Sequence, residues 1–521
     1  MRKILRFRYD GRAELEKEIN YIPLRYILAI ALAALETVLI IAAVIWLSYH
    51  LPYFYLVVAL GGILCIIRII GSDDNPDYKV PWLVIVLLLP VVGFMLYVLF
   101  YDRRLKKRFI KRLVTLWDRS YKKDDTAGLA NLTEESPLVA TQATMLGRMA
   151  DAHVFTNTSQ RYFPLGDDMH GPLLEDLRSA EKFIFMEYFI IEEGCFWNSV
   201  LEILKEKASA GVEVKVVYDD IGCMMTLPGN YHKVLGRWGI EAVPFSKLKG
   251  NADSEFNNRS HRKIAVIDGK IGYTGGINLA DEYINRVERH GHWKDVGIRL
   301  EGEAVKELTR LFLIDYGINV KRLPERRHDY FPNHSVPAEG YVIPFGDGPS
   351  PIYRHRVGKS VIQNLLNHAV EYVWIMSPYL VIDNELCQTI ENAALRGVQV
   401  RLILPHIPDK KLIFEMAKGH YKRLMEAGVE IYEYAPGFVH AKCYLADGNL
   451  GMVGSINLDY RSLVHHFENG VWMYRCECLE DIRMDFEATL EKCIRVDESQ
   501  IQWPLWKRLL RAVLKVFAPM M

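Results

Sequence analysis

One short pattern occurs twice in this chain with no change in its internal spacing. His261, Lys263, Asp268, Gly275, Gly276 and Asn278 return as His440, Lys442, Asp447, Gly454, Ser455 and Asn457, each displaced by 179 residues. Such a repeat restricts the fold to two copies of one unit, too few for a solenoid. The surrounding sequence agrees. FIFMEYFII (183–191) reads as a buried strand, followed by a helical pattern over 198–210 and a second strand, VEVKVVY (212–218). The same order returns as YVWIMSPYL (372–380), a helix over 384–396 and VQVRLIL (398–404). Alternating strand and helix patterns define an α/β fold with a site where the copies meet.

The repeated residue types suit a phosphodiester. His and Lys two apart on an extended segment point to the same face. Each Lys supplies a fixed positive charge and each Asn an amide donor beside an imidazole. Doubling the set lets cations and donors hold the non-bridging oxygens while two imidazoles work on opposite sides in line. The sequence offers no metal-ligand cluster, so the lysines take the place of a cation and no metal or cofactor is expected. His290, His292, His465 and His466 read as packing or surface residues. The eight cysteines form no CxxC pair, and Cys476 and Cys478 are expected to share a strand face.

The front of the chain is different. Residues 26–47, 54–70 and 80–101 are apolar runs that approach or reach the ~20 residues needed to cross a bilayer. They are expected to be three spans, with Glu36 turned toward another helix. Basic residues flank them: Arg2, Lys3, Arg6, Arg8, Arg12, Lys17 and Arg25 before, and Arg103, Arg104, Lys106, Lys107, Arg108, Lys111 and Arg112 after. The denser second cluster favours a cytoplasmic catalytic region. Over the whole chain 64 Lys+Arg balance 64 Asp+Glu. Without a global basic field, nucleic acid is not an expected partner.

The paired pattern resembles the HKD motifs of the phospholipase D superfamily. Its flanks, NRSHRKIAVIDGKIGYTGGINLADEY (258–283) and GSINLDYRSL (454–463), are similar to those of bacterial cardiolipin synthases. So are the apolar N-terminal runs, DDNPDYK (73–79) and WPLWKRLL (503–510). The resemblance covers essentially the whole chain, although the run at 26–47 is an extra span relative to two-span members. It implies a multi-pass bacterial cell-membrane phosphatidyltransferase acting on phosphatidylglycerol, with membrane lipid as its partner and no cofactor. One phosphatidyl group passes to a second phosphatidylglycerol through a phosphohistidine, and glycerol leaves. By the same analogy His261 is the nucleophile and His440 the general acid/base, an order the residues alone leave open. Asp295 and Glu468, at comparable points after each motif, are implied to orient the histidines. Asp268 and Asp447 are either catalytic or structural, since each precedes a glycine at a turn. Only the second copy, with Ser455 in place of Gly276, can offer a hydroxyl there. Two rival readings are a hydrolase of the same superfamily and an inactive lipid-binding scaffold.

These readings divide the chain as follows: a membrane anchor (1–112), a connecting segment (113–155), a first phospholipase D-like domain (156–322), a linker (323–340) that includes Arg326 and Arg327, a second such domain (341–498) and an amphipathic C-terminal helix (499–521). Each domain is expected to have a mixed sheet flanked by helices. Nothing in the sequence sets an oligomeric state.

Overall fold

The computed structural model describes residues 22–101, 111–112, 114–116, 127–247, 258–320, 328–350, 352–501 and 503–520. The basic residues from Arg2 to Lys17 and from Arg103 to Arg108 lie outside them, as do Arg326 and Arg327 of the expected linker.

The N-terminal apolar runs form four helices: α1 (Ile22–His50), α2 (Pro52–Ile70), α3 (Pro76–Leu88) and α4 (Pro90–Phe100). The expected single span over 80–101 is therefore two helices. Pro90 lacks a backbone N–H and disfavours a helical conformation at the residue before it. Leu89 accordingly leaves the helix at φ −129°, ψ 70°. The chain then doubles back, and Trp82 on α3 meets Tyr97 on α4 with ring centroids 5.8 Å apart. Gly93 permits this close packing, since a Cβ there would lie 2.4 Å from the Ile85 carbonyl oxygen. Among the described residues no helix is long and apolar enough to cross a membrane. The three spans expected over 26–47, 54–70 and 80–101 thus rest on the sequence.

Two helices, α5 (Ala127–Glu135) and α6 (Pro137–Ala150), lead into the first copy. Its sheet contains β1 (Thr158–Phe163), β2 (Phe183–Tyr188), β3 (Glu213–Asp219), β4 (Glu241–Phe245), β5 (Ile264–Ile267) and β6 (Ile271–Gly275). The short β7 (His292–Lys294) stands apart, and β8 (Gly297–Gly302) completes the sheet in the order β1-β8-β6-β5-β2-β3-β4. Strands β2, β3 and β4 run parallel, and the others pair antiparallel. Helices α7 (Gly166–Ser179), α8 (Cys195–Ser209), α9 (Tyr231–Gly236) and α10 (Val305–Asn319) accompany it.

The second copy repeats this plan. Its strands are β9 (Tyr341–Asp347), β10 (Tyr372–Met376), β12 (Gln399–Pro405), β13 (Glu430–Tyr434), β15 (Cys443–Ala446), β16 (Leu450–Gly454) and β18 (Glu468–Tyr474). They lie in the order β9-β18-β16-β15-β10-β12-β13, extended by β19 (Cys493–Arg495). Outside this sheet, β11 (Leu380–Val381) pairs with β17 (Leu458–Asp459), and β14 (Gly437–Val439) pairs with β7 of the first copy. The helices are α11 (Val357–His368), α12 (Asn384–Leu395), α13 (Lys411–Glu426), α14 (Cys478–Leu490) and α15 (Leu505–Phe517). Gly211 (φ +89°) and Gly397 (φ +95°) end equivalent helices in the left-handed conformation that glycine adopts without steric cost. Cys476 and Cys478 do not share a strand, because β18 ends at Tyr474 and Cys478 opens α14.

Each copy has an outer core beneath its own helices, but the central core is common to both. Phe185, Leu308 and Phe312 of the first copy belong to the same buried cluster as Trp374, Met376, Val471 and Phe486 of the second. Burying one such side chain contributes about 1.5–3 kcal/mol, so this layer holds the copies in one relative position. The DDNPDYK segment ties the N-terminal helices to the second copy. Asn75 Nδ2 donates to Asp383 (2.8 Å), and the Asn384 N–H and Tyr460 hydroxyl donate to Asp77 at 2.8 and 3.1 Å. Helix α15 docks on α13 nearby, where Arg511 pairs with Glu415 at 2.6 Å and stacks 3.6 Å from the Trp503 ring centroid.

Candidate active site

His261 and Lys263 stand on the approach to β5, and His440 and Lys442 on the approach to β15, not within the strands as the alternation suggested. The cause is a change of pairing partner. The His261 N–H donates to the Phe467 carbonyl, and the Phe467 N–H to that of Arg259, both at 2.8 Å. The His440 N–H donates to the Lys294 carbonyl at 2.7 Å, beside the β7–β14 pair. Each motif thus leaves its own sheet to bond the opposite copy, and both histidines reach the line where the copies meet.

The carboxylates cross in the same way. His261 Nδ1 donates to Glu468 of the second copy at 3.0–3.1 Å, and His440 Nδ1 to Asp295 of the first at 2.6 Å. An imidazole that gives its Nδ1 proton to an acid keeps Nε2 free for chemistry. All four side chains are buried. Lys263 Nζ donates to the His261 carbonyl at 2.7 Å, while Lys442 Nζ lies 2.8 Å from His440 Nδ1 and bonds the His440 carbonyl.

The two sides differ in detail. Glu468 also accepts hydrogen bonds from the Ser455 hydroxyl and, at 2.7 Å, from the Ser462 hydroxyl. Asp295 accepts from the Val296 N–H at 2.8 Å. Glycine at 276, where the second copy has Ser455, is a steric necessity, since a Cβ would lie 2.0 Å from Asp295 Oδ1. Rings wall both histidines. Trp293 and Tyr283 each lie 5.4 Å from His440, whereas Phe189 and His466 lie 5.0 and 5.4 Å from His261.

These surroundings shift the site's proton affinities. Burial lowers His261 to about 3 despite the opposing Glu468 charge. Burial and the charges of Lys442 and Lys263 also lower His440, so both rings are neutral near pH 7. Burial pulls Lys263 down to about 7 and Lys442 to about 8, against the attraction of the nearby carboxylates. It raises Asp295 to about 6, opposed by the lysines. For Glu468 burial acts upward too, but the pairing with His261 and the neighbouring His466 outweighs it and holds the carboxyl well below its usual range.

The remaining sequence-derived candidates fall in two groups. Asn278 Oδ1 accepts from the Ile190 N–H at 3.0 Å and its amide donates to Tyr283 at 2.7 Å, behind His440. Asn457 is buried and donates to Asp459 at 3.1 Å, leaving Oδ1 without a hydrogen-bond partner. Asp268 and Asp447 lie at the far ends of β5 and β15. Asp268 accepts three backbone N–H groups, from Glu181, Lys182 and Phe183, all at 2.8 Å. Asp447 does the same for Val370, Glu371 and Tyr372 at 2.8–2.9 Å. Both occupy the left-handed turn position, at φ 53° and 48°. The structure joins them to strand starts, not to the histidines.

Sequence reasoning missed Ser462, Trp293 and His466. Aligning Asp295 with Glu468 sets Trp293 opposite His466, and that signal was available. His466 packs as expected, but against the His261 imidazole. Among the described residues, His261, His466 and Glu468 are one group with metal-ligand reach, their donor atoms all within 4.8 Å of one another. Glu468 accepts three hydrogen bonds, from His261, Ser455 and Ser462.

Two like copies that exchange acids across a pair of histidines, with two buried lysines alongside, define a phosphodiester-processing enzyme of the phospholipase D class. Residues 173–311 and 362–490 match the family described as "Cardiolipin synthase, PLD-like domain", and 62–100 match "Phospholipase D-nuclease N-terminal". The chain belongs to the cardiolipin synthase family. It is 31% identical to a cardiolipin synthase of Geobacillus sp., covering 86% of this chain and 90% of that one. With the cardiolipin synthase of Alkalihalophilus pseudofirmus the identity is 30%, over 87% and 91% of the two chains. An uncharacterised Streptococcus mutans protein is 42% identical over 88% of this chain and 99% of its own length. The crystal structure of the Haemophilus influenzae phosphatidylserine synthase has a TM-score of 0.56 at 14% identity, covering 74% of this chain and 98% of that one, a likeness of fold alone.

Proposed function

We propose that the shared site transfers a phosphatidyl group from one phosphatidylglycerol to another, giving cardiolipin and glycerol. The observation that carries this reading is the crossed orientation of the two histidines, each held by the other copy's carboxylate. His440 enters the reaction as the imidazolium, a form that the bound phosphate anion favours, with Nδ1–H on Asp295 and its second proton on Nε2. His261 Nε2 attacks phosphorus, and the bond to the departing glycerol oxygen breaks as His440 supplies that second proton. The phosphatidyl group then rests on His261. His440, now a base, takes the proton of the incoming primary hydroxyl, whose oxygen displaces the histidine. One phosphodiester replaces another, so no nucleotide is consumed.

The unequal carboxylates support this order. Glu468 stays ionised and balances the positive ring of phosphorylated His261. Asp295, with a pKa near 6, suits a partner whose proton comes and goes. Lys263 and Lys442 hold the non-bridging oxygens, while Asn278 holds the Tyr283 ring beside His440 and the Asn457 N–H holds Ser462, a donor to Glu468.

The substrate requires a membrane, and the N-terminal helices serve as its multi-pass anchor. Exposed apolar side chains on α1 and α2, such as Leu39, Trp46, Leu64 and Ile67, support that assignment. Leu505, Trp506, Leu509 and Val513 form an exposed apolar stripe on α15, which lies on the same surface with the exposed Arg508 and Lys515 toward anionic headgroups. On this reading the chain sits in a bacterial cell membrane with its catalytic copies on the cytoplasmic side.

Purified protein in phosphatidylglycerol vesicles tests the reaction. Cardiolipin and glycerol are expected in equal amounts without nucleotide. Phosphatidic acid in place of cardiolipin would assign the chain to the hydrolases.

A further inference from the structure

The two halves of the site are related by the repeat, yet they are not chemically equal. The ring against His440 is Trp293; the ring at the matching place against His261 is His466, and both pairs have centroids 5.4 Å apart. Only the His261 side therefore carries a third imidazole. It faces the carboxylate that orients His261, with Nδ1 3.8 Å from Glu468 Oε1. That Nδ1 is buried and has no hydrogen-bond partner. The charged and titratable groups around it are His261 and Lys263 from the approach to β5 and Glu468 from β18, with Asp219 behind Lys263 and Lys442 across the line between the copies.

We propose that His466 is a positioning residue that keeps the Glu468 carboxylate ionised and aimed at His261, so that one of the two reactive histidines works against a permanent anion. The proposal rests on the transphosphatidylation reading above. In that reaction His261 carries positive charge while it is bonded to phosphorus, and Glu468 must remain an anion throughout. Ser455 and Ser462 already donate to this carboxylate. On this proposal the His466 Nδ1–H, 3.8 Å from Oε1 and otherwise unpartnered, closes on the carboxylate as a further donor, from a side chain that is 11% exposed. Trp293 cannot do the same for Asp295, whose partners are the Val296 N–H and His440. The asymmetry divides labour between two halves built from the same repeat.

The test uses the full chain in phosphatidylglycerol vesicles with His466→Ala, His466→Trp and His466→Asn. Removing a donor raises the affinity of Glu468 for a proton, so activity that needs its anion is lost at higher pH on acidification. Alanine and tryptophan should lower kcat about tenfold or more with KM nearly unchanged, and move the acid limb of the kcat–pH profile to higher pH. Asparagine restores a donor without a titrating ring, so it should return kcat to within about threefold and restore the limb. A thermal melt separates these effects from loss of fold, and if the alanine variant does not fold, the tryptophan and asparagine pair decides. An unmoved acid limb in His466→Trp, or an asparagine variant as slow as the tryptophan one, would overturn the proposal while wild-type cardiolipin synthesis stands. Failure of the wild type to make cardiolipin would overturn the underlying reading and this proposal with it.

Discussion

Glu468 and Asp295 occupy matching places, yet their surroundings push them in opposite directions from the usual carboxylate range, Glu468 down and Asp295 up. Asp295→Asn should reduce kcat about 10²- to 10⁴-fold, the usual worth of acid–base assistance, with KM for phosphatidylglycerol little changed in steady-state assays. His261→Ala should leave no turnover, and His440→Ala should lose at least as much as Asp295→Asn. The lysines set the alkaline limit. A lysine lowered to about 7, as Lys263 is, loses its charge as pH rises through that value, followed by Lys442 near 8. KM should therefore rise between about pH 7 and 8 while the acid side is unaffected by these groups, and a KM–pH series checks it. At this scale the sequence disclosed the reactive residue types through their identical spacing. His466 is legible only through the alignment of Asp295 with Glu468, which sets it opposite Trp293; a histidine beside another histidine in a loop has no pattern of its own.

At the scale of elements, the third position of the repeat is the instructive one. Asp268 and Asp447 complete the motif in sequence, but each binds three N–H groups where a strand begins. Removing Asp268 strands donors that are buried or partly buried, at a cost of about 1–3 kcal/mol for each group left unsatisfied, whereas two of the three donors to Asp447 face solvent and can bond water instead. Asp268→Ala should thus lower stability to denaturant by several kcal/mol on that scale and Asp447→Ala by clearly less, while the fraction that remains folded retains most of its kcat. The strands and helices themselves were legible from alternation and helical periodicity. The break at Leu89 was harder to foresee, because an apolar run containing Pro90 and Gly93 fits either a kinked span or a hairpin. The packing of α4 back onto α3, with Trp82 against Tyr97 and Gly93 against Ile85, shows which, and only the folded chain reveals it. Leu509→Asp on the exposed face of α15 should reduce activity on vesicles more than on detergent micelles, since the stripe matters only where there is a bilayer to enter.

For the whole molecule, the repeat implied two copies and one site, but not how they share it. The bonded pairs are 207 residues apart for His261 and Glu468 and 145 for His440 and Asp295. No local spacing encodes such contacts. They follow from strand exchange between the copies and from a central core to which both contribute. Because each histidine depends on the other copy's acid, His440→Ala and Asp295→Asn should be strongly non-additive, the double variant being scarcely slower than His440→Ala alone. The central claim is a double displacement through His261 at this shared site. It is tested most directly by the stereochemistry at phosphorus, using phosphatidylglycerol made chiral with a single thiophosphoryl sulfur and reading the product by phosphorus NMR. Two in-line displacements predict retention of configuration. Inversion would mean a single displacement without a histidine intermediate, and would contradict the account.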